Sequence, residues 1–385
     1  MKEKFLRELA DIQTGPFGSQ LHKEDYVADG TPIVTVEHLG NKMFSEQNLP
    51  RVSNTDKNRL KKYVLKQGDI VFSRVGSVDR CSYVDQKHDG WMFSGRCLRV
   101  RPTSEIDSEY LYYYFCLEET KQFVRNIAVG ATMPSINTKL LGEVVVTFPE
   151  LEQQKRISGI LSAIDSKIEV NQKINDNLSD LLQTIYQGQF GKVGLANNCG
   201  ILADICSYSK DKIEISKLSL DTYYSTENML PEKSGAVKAT SLPTTSQTTA
   251  CHKGDTLISN IRPYFKKIVY CEDDCGCSTD VLCFKPVHPR YTAYLFSTLY
   301  ADSFFNFMVA GAKGTKMPRG DKQQIMTYPV VLPLEKDLSE FNSVATPILT
   351  QIYSNRTESE RLSAIRDTLL PKLILGEIDV SSIQL

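Results

Sequence analysis

Apolar residues recur at helical spacing along residues 150–187 of the chain. Gaps of three, four and seven positions separate them, which places one narrow apolar seam along an α-helix. The seam positions are Ile157, Leu161, Ile164, Asn171, Leu178 and Ile185. At roughly 1.5 Å per residue this helix would be about 55 Å long. A globular core of this size does not contain so long a helix, so the seam predicts a partner helix.

A second stretch, residues 334–371, repeats the pattern. An offset of 184 residues carries Ile157 onto Phe341 and Asn171 onto Asn355. The seam positions of the second stretch are Phe341, Ile348, Asn355, Leu362 and Leu369. A polar residue in such a seam lowers stability but can fix the register of a helix pair. We therefore predict two long helices that pack on each other. The alternative is one amphipathic helix in each of two ordinary domains.

Pro347 complicates the second helix because it lies close to the predicted start. Proline is tolerated in the first turn of a helix and kinks a helix interior. We therefore expect that the second helix either starts near Thr346 or bends there, and this leaves its length open.

The repeat extends beyond the helices. The same offset carries Met133-Pro134 onto Met317-Pro318, and Gln67–Ile70 corresponds to Lys253–Thr256 at an offset of 186. A unit of roughly 190 residues used twice indicates two domains and not a solenoid, whose repeats run roughly 20–50 residues. We predict a first domain at 1–149, a first helix at 150–191, a second domain at 192–333, and a second helix with a C-terminal tail at 334–385.

Each domain is predicted to be α+β. Short apolar runs bounded by glycine and proline predict β-strands, and one aromatic-rich run in each domain predicts a helix. The predicted strands are Ile33–Val36, Ile70–Phe72, Cys97–Arg101, Thr256–Ile258 and Val281–Phe284. The predicted helices are Glu109–Arg125 and Ala293–Met308.

Composition indicates a globular protein, with 41% hydrophobic and 24% charged residues among 385. No window approaches the ~18 apolar residues of a membrane span, and the N-terminus lacks the apolar core of a signal peptide. The ten cysteines without a secretion signal indicate reduced thiols, so we expect a cytoplasmic protein and no membrane partner.

Charge is distributed unevenly. Residues 1–149 carry 20 basic against 19 acidic side chains, and residues 192–333 carry 16 against 13. The helix segments 150–191 and 334–385 carry 4 against 6 and 5 against 8. Mildly basic domains and acidic helices fit domains that contact a polyanion, although the difference is too small to decide the function.

Signatures of catalysis are missing from the sequence. It contains no GxxxxGK[ST] phosphate loop and no GxGxxG after a strand, and it lacks the Asn/Asp-Pro-Pro-aromatic tetrapeptide of amino-methyltransferases. The histidines form no HExxH motif. A Ser/His/Asp site converges only in space, so sequence does not exclude one. We predict no catalytic residue on this chain.

One group of cysteines could bind a metal. Its members are Cys271, Cys275, Cys277 and Cys283. Their spacing differs from the paired CxxC arrangement of zinc sites, and the first domain has no equivalent. We favour buried or turn residues on a β-hairpin over a zinc site and predict no metal.

Basic loops at matching places in both halves are the strongest candidates for binding. Arginine can pair with guanine or phosphate, asparagine with adenine, and lysine and serine with phosphate. The candidates after the first Gly-Asp strand are Ser73, Arg74, Ser77 and Arg80, and those after the second are Ser259, Asn260, Arg262, Tyr264, Lys266 and Lys267. A second pair of segments adds Asn137, Lys316 and Arg319. For Met133 and Met317 in these segments we favour packed turns. The alternative for each loop is an ordinary solvated turn.

The chain resembles the DNA sequence-specificity (S) subunits of Type I restriction–modification systems over essentially its whole length. The resemblance lies in five segments: ELADIQTGPFGSQLHKEDY (8–26), QGDIVFSRVG (67–76), PELEQQKRISGILSAIDSKIEVNQ (149–172), ISNIRPYFKK (258–267) and LLPKLILGEIDV (369–380). It implies an α+β fold with two target recognition domains, held apart by two long antiparallel helices that resemble a coiled coil, with pseudo-twofold symmetry. Each domain would recognise half of a split DNA site, and the helix pair would set the gap between the halves.

The resemblance also implies partners. Two methyltransferase (M) subunits would carry S-adenosylmethionine and methylate adenine, and restriction (R) subunits would use ATP and Mg to translocate and cleave double-stranded DNA. No cofactor is then expected on this chain. Two other functions stay open: a single-chain DNA methyltransferase or nuclease, and a two-domain scaffold that binds proteins.

Overall fold

The computed structural model describes residues 1–18, 20–40, 42–191 and 198–381. The described residues form two compact units, one from Met1–Ile168 with Glu360–Leu385 and one from Glu169–Ser359. The predicted start of the second domain at residue 192 and the end of the tail at residues 382–385 lie outside the described residues. The domain bounds given above therefore stay predictions.

The described residues of the first unit form ten short strands and five short helices, followed by the first part of a long helix. The strands are β1 Lys2–Phe5, β2 Ala10–Thr14, β3 Tyr26–Val27, β4 Thr31–Val34, β5 Arg51–Val52, β6 Ile70–Ser73, β7 Cys81–Tyr83, β8 Met92–Phe93, β9 Cys97–Pro102 and β10 Val145–Phe148. The helices are α1 Leu6–Leu9, α2 Asn54–Arg59, α3 Ser108–Cys116, α4 Glu118–Ile127, α5 Thr138–Gly142 and the long α6 Leu151–Phe190.

A central antiparallel sheet in the order β2-β9-β6-β7 organises this unit. Its inner strand β6 is buried along its whole length and pairs Ile70 with Val100 and Ser73 with Cys97. A second sheet has the order β3-β5-β4-β8, and β1 pairs with β10. The central sheet packs on α3, where Tyr110 and Leu111 have no exposed surface. Strand β6 therefore anchors the loop that follows it to a buried core.

The second unit repeats this plan. Its strands are β11 Cys199–Ile201, β12 Cys206–Tyr208, β13 Lys212–Glu214, β14 Tyr223–Tyr224, β15 Gln247–Cys251, β16 Thr256–Ser259, β17 Ile268–Tyr270, β18 Cys275–Cys277, β19 Val281–Pro286 and β20 Pro329–Val331. Its helices are α7 Thr292–Tyr300, α8 Asp302–Ala310, α9 Lys322–Met326 and the long α10 Glu335–Ile374. The sheet order β12-β19-β16-β17 matches that of the first unit, with β13-β15-β18-β14 and β11-β20 beside it. The α+β fold and the internal repeat are thus confirmed.

The aromatic-rich helix of each domain is two helices and not one. The first breaks at Leu117 (φ −59°, ψ 135°) and the second at Ala301 (φ −65°, ψ 141°). Both residues are buried, with exposed fractions of 6% and 4%. The apolar periodicity continues through the break, so it predicted one helix. Burial of an extended residue in the core turns the chain at that point.

In the first unit, the beginning of α6 packs against the end of α10. Ile157 and Leu161 belong to the same apolar core as Leu373 and Ile374. Further along α6 the contact is polar, because Arg366 Nη1 donates to Asp165 at 2.8 Å. The two segments therefore run antiparallel within this unit.

In the second unit, the end of α6 packs against the beginning of α10. Tyr186 and Phe190 lie against Phe341, with ring centroids 6.3 and 5.5 Å away. Toward the start of this segment, Asn171 Nδ2 donates to the Glu358 carboxylate at 2.8 Å and the Ser359 hydroxyl at 3.2 Å. The predicted long helices and their mutual packing are confirmed, here also in antiparallel orientation.

Exposure varies among the predicted seam positions. Ile157, Leu161, Asn171, Phe341, Ile348 and Asn355 are buried. Ile164, Leu178, Ile185, Leu362 and Leu369 are half-buried. The two asparagines are 1% and 7% exposed, and Asn355 Nδ2 donates to Asn175 at 2.9 Å. Polar contacts in the seam therefore involve specific partners, as a register-fixing role requires.

Of the two alternatives for the second helix, a start near Thr346 is wrong. Helix α10 begins at Glu335, so Pro347 lies in its interior. Leu338, Phe341 and Ala345, which precede the proline, are at most 2% exposed and belong to the core of the second unit. Proline removes one backbone donor from the helix, and burial of the preceding turns offsets that loss.

Candidate nucleic-acid interface

In the first domain, the loop between β6 and β7 is folded by its own first residue. The Ser73 hydroxyl donates to the Val75 carbonyl at 2.7 Å, and the Ser73 N–H donates to the Arg80 carbonyl at 2.9 Å. Gly76 follows with φ +74°, a left-handed conformation that glycine adopts without steric cost. Ser73 is 1% exposed. It shapes the loop, and its hydroxyl does not face solvent.

A hairpin of residues 129–135 is bonded to this loop. Val129 and Ser135 exchange backbone hydrogen bonds of 2.9 Å, and the Gly76 N–H donates to the Pro134 carbonyl at 2.8 Å. Loop and hairpin therefore form one unit. We call residues 73–80 together with 129–136 the first platform.

Arg74 is held at the edge of this platform. Its guanidinium carbon lies 5.2 Å from the ring centre of Phe17, and its Nη1 donates to the Gly95 carbonyl at 3.1 Å. Phe17 is 52% exposed, and a cation over an aromatic face is attracted by the ring quadrupole. Both residues line a cleft of about 640 Å³, which Arg96 also lines. The guanidinium is thus fixed in place beside an open cleft.

The loop that carries Phe17 is pressed against the loop that carries Gly95. A Cβ added at Gly15 would lie 2.1 Å from the Ser94 carbonyl oxygen, and one at Gly95 would lie 2.4 Å from the Pro16 carbonyl oxygen. Only glycine permits such close backbone approach. Sequence reasoning missed Phe17 and Arg96 as candidates. An aromatic residue between Pro16 and Gly18 in a turn is the signal that could have pointed to Phe17.

The other predicted residues of the first domain differ in their roles. Arg80 is exposed, and its Nη2 donates to the Leu39 carbonyl. Ser77 is exposed on the loop. Asn137 caps α5, because its Oδ1 accepts from the Leu140 N–H at 2.9 Å. Arg74, Ser77 and Arg80 therefore lie together on one loop, whereas the Asn137 side chain is engaged by a helix end.

The second domain builds the same arrangement. The Ser259 N–H donates to the Lys267 carbonyl at 3.1 Å, and its hydroxyl donates to the Ile261 carbonyl at 3.2 Å. The Arg262 N–H donates to the Pro318 carbonyl at 2.8 Å. Residues 313 and 319 exchange backbone bonds of 2.9 Å. We call residues 259–267 together with 313–320 the second platform.

Exposure separates the predicted residues of the second platform into two groups. Ser259 and Asn260 are 2% and 7% exposed, so they lie inside the loop. Tyr264 is 47% exposed and its neighbour Phe265 is 36% exposed, with ring centroids 4.7 Å apart. An exposed aromatic pair in a basic loop is a surface on which a base or sugar can pack.

Most cations of the second platform already have partners. Lys266 lies 3.0 Å from the Asp302 carboxylate, and Arg319 lies 3.0 Å from that of Asp280. Lys267 Nζ donates to the Thr226 carbonyl at 2.6 Å, and burial lowers the pKa of Lys267. The side chains of Arg262 and Lys316 make no hydrogen bond or ion pair with the described residues. These two cations are the ones most available to an external anion or base.

The expectation that Met133 and Met317 pack in their turns is wrong. Met133 is 67% exposed and Met317 is 50% exposed. Backbone hydrogen bonds close each hairpin, so the side chains at its tip are not needed for packing. Both methionines therefore add apolar surface to the platforms, which sequence reasoning had set aside.

A buried carboxylate lies at the root of each platform. Asp69, 1% exposed, accepts from Arg101 Nε and Nη2 at 2.7 Å each. Asp255, 2% exposed, accepts from the His252 N–H at 2.8 Å and the Cys283 thiol at 3.3 Å. Burial raises the pKa of Asp255. The matched carboxylates thus lie in different electrostatic environments.

The cysteine group of the second domain lies in an apolar cluster. Cys251 joins the four predicted members there, which the sequence spacing had not indicated. The Cys271 and Cys275 sulfurs are 3.6 Å apart. Among residues 1–18, 20–40, 42–191 and 198–381, no group of three or more His, Cys, Asp or Glu side chains is arranged to hold a metal ion.

Within the described part of the chain, none of the helices combines the length and the apolar character that crossing a membrane requires.

Comparison with known proteins finds similarity to DNA specificity subunits. A family model described as Type I restriction modification DNA specificity domain matches residues 1–180. The MjaIX Type I restriction enzyme specificity subunit of Methanocaldococcus jannaschii is 22% identical over 311 residues, covering 74% of this chain and 72% of that protein. The HindI specificity subunit of Haemophilus influenzae is 28% identical over 133 residues, 34% of this chain and 29% of that protein.

A solved structure supports the fold. The S subunit of a Type I restriction–modification system from M. genitalium superposes with a TM-score of 0.55, covering 97% of this chain and 95% of that chain at 17% identity. This superposition over nearly the whole of both chains agrees with the overall fold described above. Over residues 1–180 the chain matches the Type I restriction modification DNA specificity domain, and the relatives to which it is similar are specificity subunits of Type I restriction enzymes.

Proposed function

We propose that the chain recognises a split, asymmetric DNA site, with each domain contacting one half, and that it has no catalytic centre of its own. The observation that carries the proposal is the pair of platforms. They share one backbone arrangement and present different side chains, for example Arg74 and Ser77 in the first against Arg262 and Tyr264 in the second. Different groups at matched positions favour different base sequences.

Partner subunits complete this function. The MjaIX and HindI relatives are specificity subunits of restriction enzymes. We extend that role to this chain, which would hold two methyltransferase (M) subunits and bind restriction (R) subunits. S-adenosylmethionine, ATP and Mg would then be bound by the partners. A chain that only recognises DNA needs no cofactor for that task, and the missing catalytic motifs of the sequence fit this division.

The first experiment is to co-express the chain with its cognate M subunit and map methylated adenines across a genome. The expected result is a motif of two unequal halves with a fixed gap. An intact complex that methylates no gapped motif would contradict the proposal and favour the protein-binding scaffold. Methylation by the purified chain alone would instead favour the single-chain enzyme.

A second experiment assigns the halves. Arg74→Ala is expected to change recognition of one half-site and Arg262→Ala the other, because the two arginines lie in different domains. Lys61→Ala and Lys212→Ala, which change exposed lysines outside the platforms, serve as controls and should leave both halves intact. If both arginine variants altered the same half, the assignment of one domain to each half would be wrong.

Salt dependence provides an independent check. Contacts to phosphates release counterions, so the logarithm of the affinity should fall linearly with the logarithm of the salt concentration. A scaffold that binds proteins through its domains would show no affinity for DNA at any salt concentration. Binding of the whole complex to a labelled duplex, followed by fluorescence anisotropy, measures this slope.

A further inference from the structure

Arg262 and Gly76 occupy the same position in the two platforms. Each follows the buried serine of its loop by three residues, and each donates its N–H to the proline carbonyl of the adjoining hairpin at 2.8 Å. The serine-to-backbone bonds on either side also match. One position in the fold is therefore glycine in the first domain and arginine in the second.

The backbone at this position is left-handed in both domains, with φ +74° at Gly76 and φ +50° at Arg262. Glycine adopts this conformation freely, whereas the Cβ of an arginine comes too close to the following carbonyl oxygen. Pro263 adds a second restriction, because a residue before proline favours extended conformations. Arg262 is thus placed where a glycine would be easier to accommodate.

The surroundings enforce this conformation. The Phe265 N–H donates to the Arg262 carbonyl at 2.9 Å, and the Phe265 carbonyl accepts from the Glu232 N–H at 2.8 Å. The Lys233 N–H donates to the Lys266 carbonyl at 3.0 Å. Strained backbone persists only where the structure around it determines it, and it clusters at functional sites.

The Arg262 side chain makes no polar contact with the described residues that would explain its presence. Its guanidinium makes no hydrogen bond or ion pair with the described residues, and its Nε is buried without a partner. Neighbouring cations of the same platform are neutralised, Lys266 by Asp302 and Arg319 by Asp280. A guanidinium that is unpaired and carried on a strained backbone is suited to an external ligand.

We propose that Arg262 is the specificity-determining residue of the second domain and that its guanidinium pairs with the O6 and N7 edge of a guanine in the major groove. This rests on the proposed function and deepens it. The planar guanidinium presents two parallel donors that match these two acceptors, and the fixed backbone sets the point on the platform from which the side chain extends. Pairing of this kind discriminates against a wrong base by roughly 5- to 150-fold.

The test compares Arg262→Gly with the wild-type chain in complex with its M subunit, using methylation of a library randomised at each base of both halves. The variant is expected to lose preference for guanine at one position of the second half-site, by roughly 5- to 150-fold. The first half-site should be unchanged, and thermal stability should be equal or higher because the glycine relieves the strain.

Glu232→Gly is the matched control. Glu232 is one of the other non-glycine residues of this domain with positive φ, +51°, and its side chain is exposed outside the platform. Its replacement relieves similar strain without removing the guanidinium, so base preference should stay at the wild-type level. Loss of the same guanine preference in this control would overturn the proposal, because a change in the loop backbone would then be the cause.

Arg262→Lys separates a base contact from a phosphate contact. Lysine keeps the charge but not the paired donors, so the guanine preference should fall while the salt dependence of binding stays the same. A uniform loss of affinity across all sequences with Arg262→Gly, together with a shallower salt dependence, would show a phosphate contact and overturn the proposal. A wild-type complex without a split motif would overturn the proposed function itself and this inference with it.

Discussion

The two domains hold their loops with the same hydrogen bonds and differ in what lies around them. In both, the hydrogen bonds of a buried serine shape the loop. A proline carbonyl of the hairpin accepts from the backbone N–H at the apex of the loop. Yet the apex is Gly76 in one and Arg262 in the other, and the residue after the serine is the partly exposed Arg74 in one and the buried Asn260 in the other. Backbone hydrogen bonds can thus keep a shape while side chains change what it recognises.

The same contrast continues below the loops. Asp69 is neutralised by Arg101 in the first domain, whereas Asp255 has a thiol and a backbone N–H as its partners. On the helices, the offset of 184 residues relates Asp165 and Arg366 to Leu349 and Leu182. The repeat therefore exchanges polar pairs for apolar or neutral ones at equivalent places. Measurements at matched positions can show how independent each domain is.

The largest difference in stability loss between the two domains is expected at the buried carboxylates. Asp69→Asn should destabilise the first domain by about 2–3 kcal/mol, because it leaves Arg101 without its partner, and the partial exposure of Arg101 limits the loss. Asp255→Asn keeps an acceptor for the His252 N–H and should cost no more than about 1 kcal/mol. Denaturant unfolding gives the totals, and amide exchange in β6 and β16 assigns them to a domain. Equal losses at the two positions would contradict this contrast.

A smaller loss of stability is expected at the helix positions where the first unit has a polar pair and the second unit has an apolar pair. Asp165→Leu alone should cost about 2 kcal/mol, because Arg366 and the Tyr113 hydroxyl, which donates to Asp165 at 2.5 Å, lose their acceptor. Adding Arg366→Leu recreates the leucine pair of the second unit and should recover at least half of that loss. A double-mutant cycle by thermal unfolding measures the coupling. Additive losses would mean that the pair does not act as a unit.

Substitutions at the loop apex should change the stability of the two domains in opposite directions. Gly76→Ala is expected to destabilise the first domain by about 1 kcal/mol, because alanine is strained at positive φ although no atom lies within 4 Å of its Cβ. Arg262→Gly is expected to stabilise the second domain by up to about 1 kcal/mol. Thermal unfolding of the two variants, side by side, tests the prediction. The same sign for both would show that the two loops do not share one conformation.

The smallest expected effect is a dependence on pH in the second domain. Burial raises the pKa of Asp255, so the folded state binds its proton more tightly than the unfolded state. This contribution to stability is present at low pH and is lost as pH rises from about 3.9, the unfolded value, through the folded pKa. Asp255→Asn does not titrate, so its stability relative to wild type should increase over this range and then level off. Thermal midpoints of both proteins across the range measure it, and a difference that does not vary with pH would contradict the prediction.

Much of this molecule could be predicted from local patterns. The apolar spacing from Ile157 to Ile185 predicted a long helix, and α6 spans Leu151–Phe190. The repeat predicted matched domains, and both contain a four-stranded sheet of the same order. The Gly-Asp motif before each basic loop marked the place where the platforms lie. These features depend on periodicity and on residues close together in the chain.

Other features could not be predicted because they depend on contacts between distant residues. The burial of Ser73 and the exposure of Met133 depend on how a loop meets a hairpin about sixty residues away. The breaks at Leu117 and Ala301 interrupt a pattern that remains helical by sequence. Pro347 left the start of the second helix open by sequence, and the buried residues before it extend that helix back to Glu335.

By itself the sequence determined two repeated domains, two long helices and the loops that carry basic side chains, because hydrophobic period and repeat spacing are local properties. Only the tertiary structure decided which cations are neutralised and which side chains are exposed. It also decided that Arg262 adopts a conformation suited to glycine. Burial, ion pairing and backbone strain are set by the neighbours that folding brings together, and the spacing of residues along the chain does not specify those neighbours.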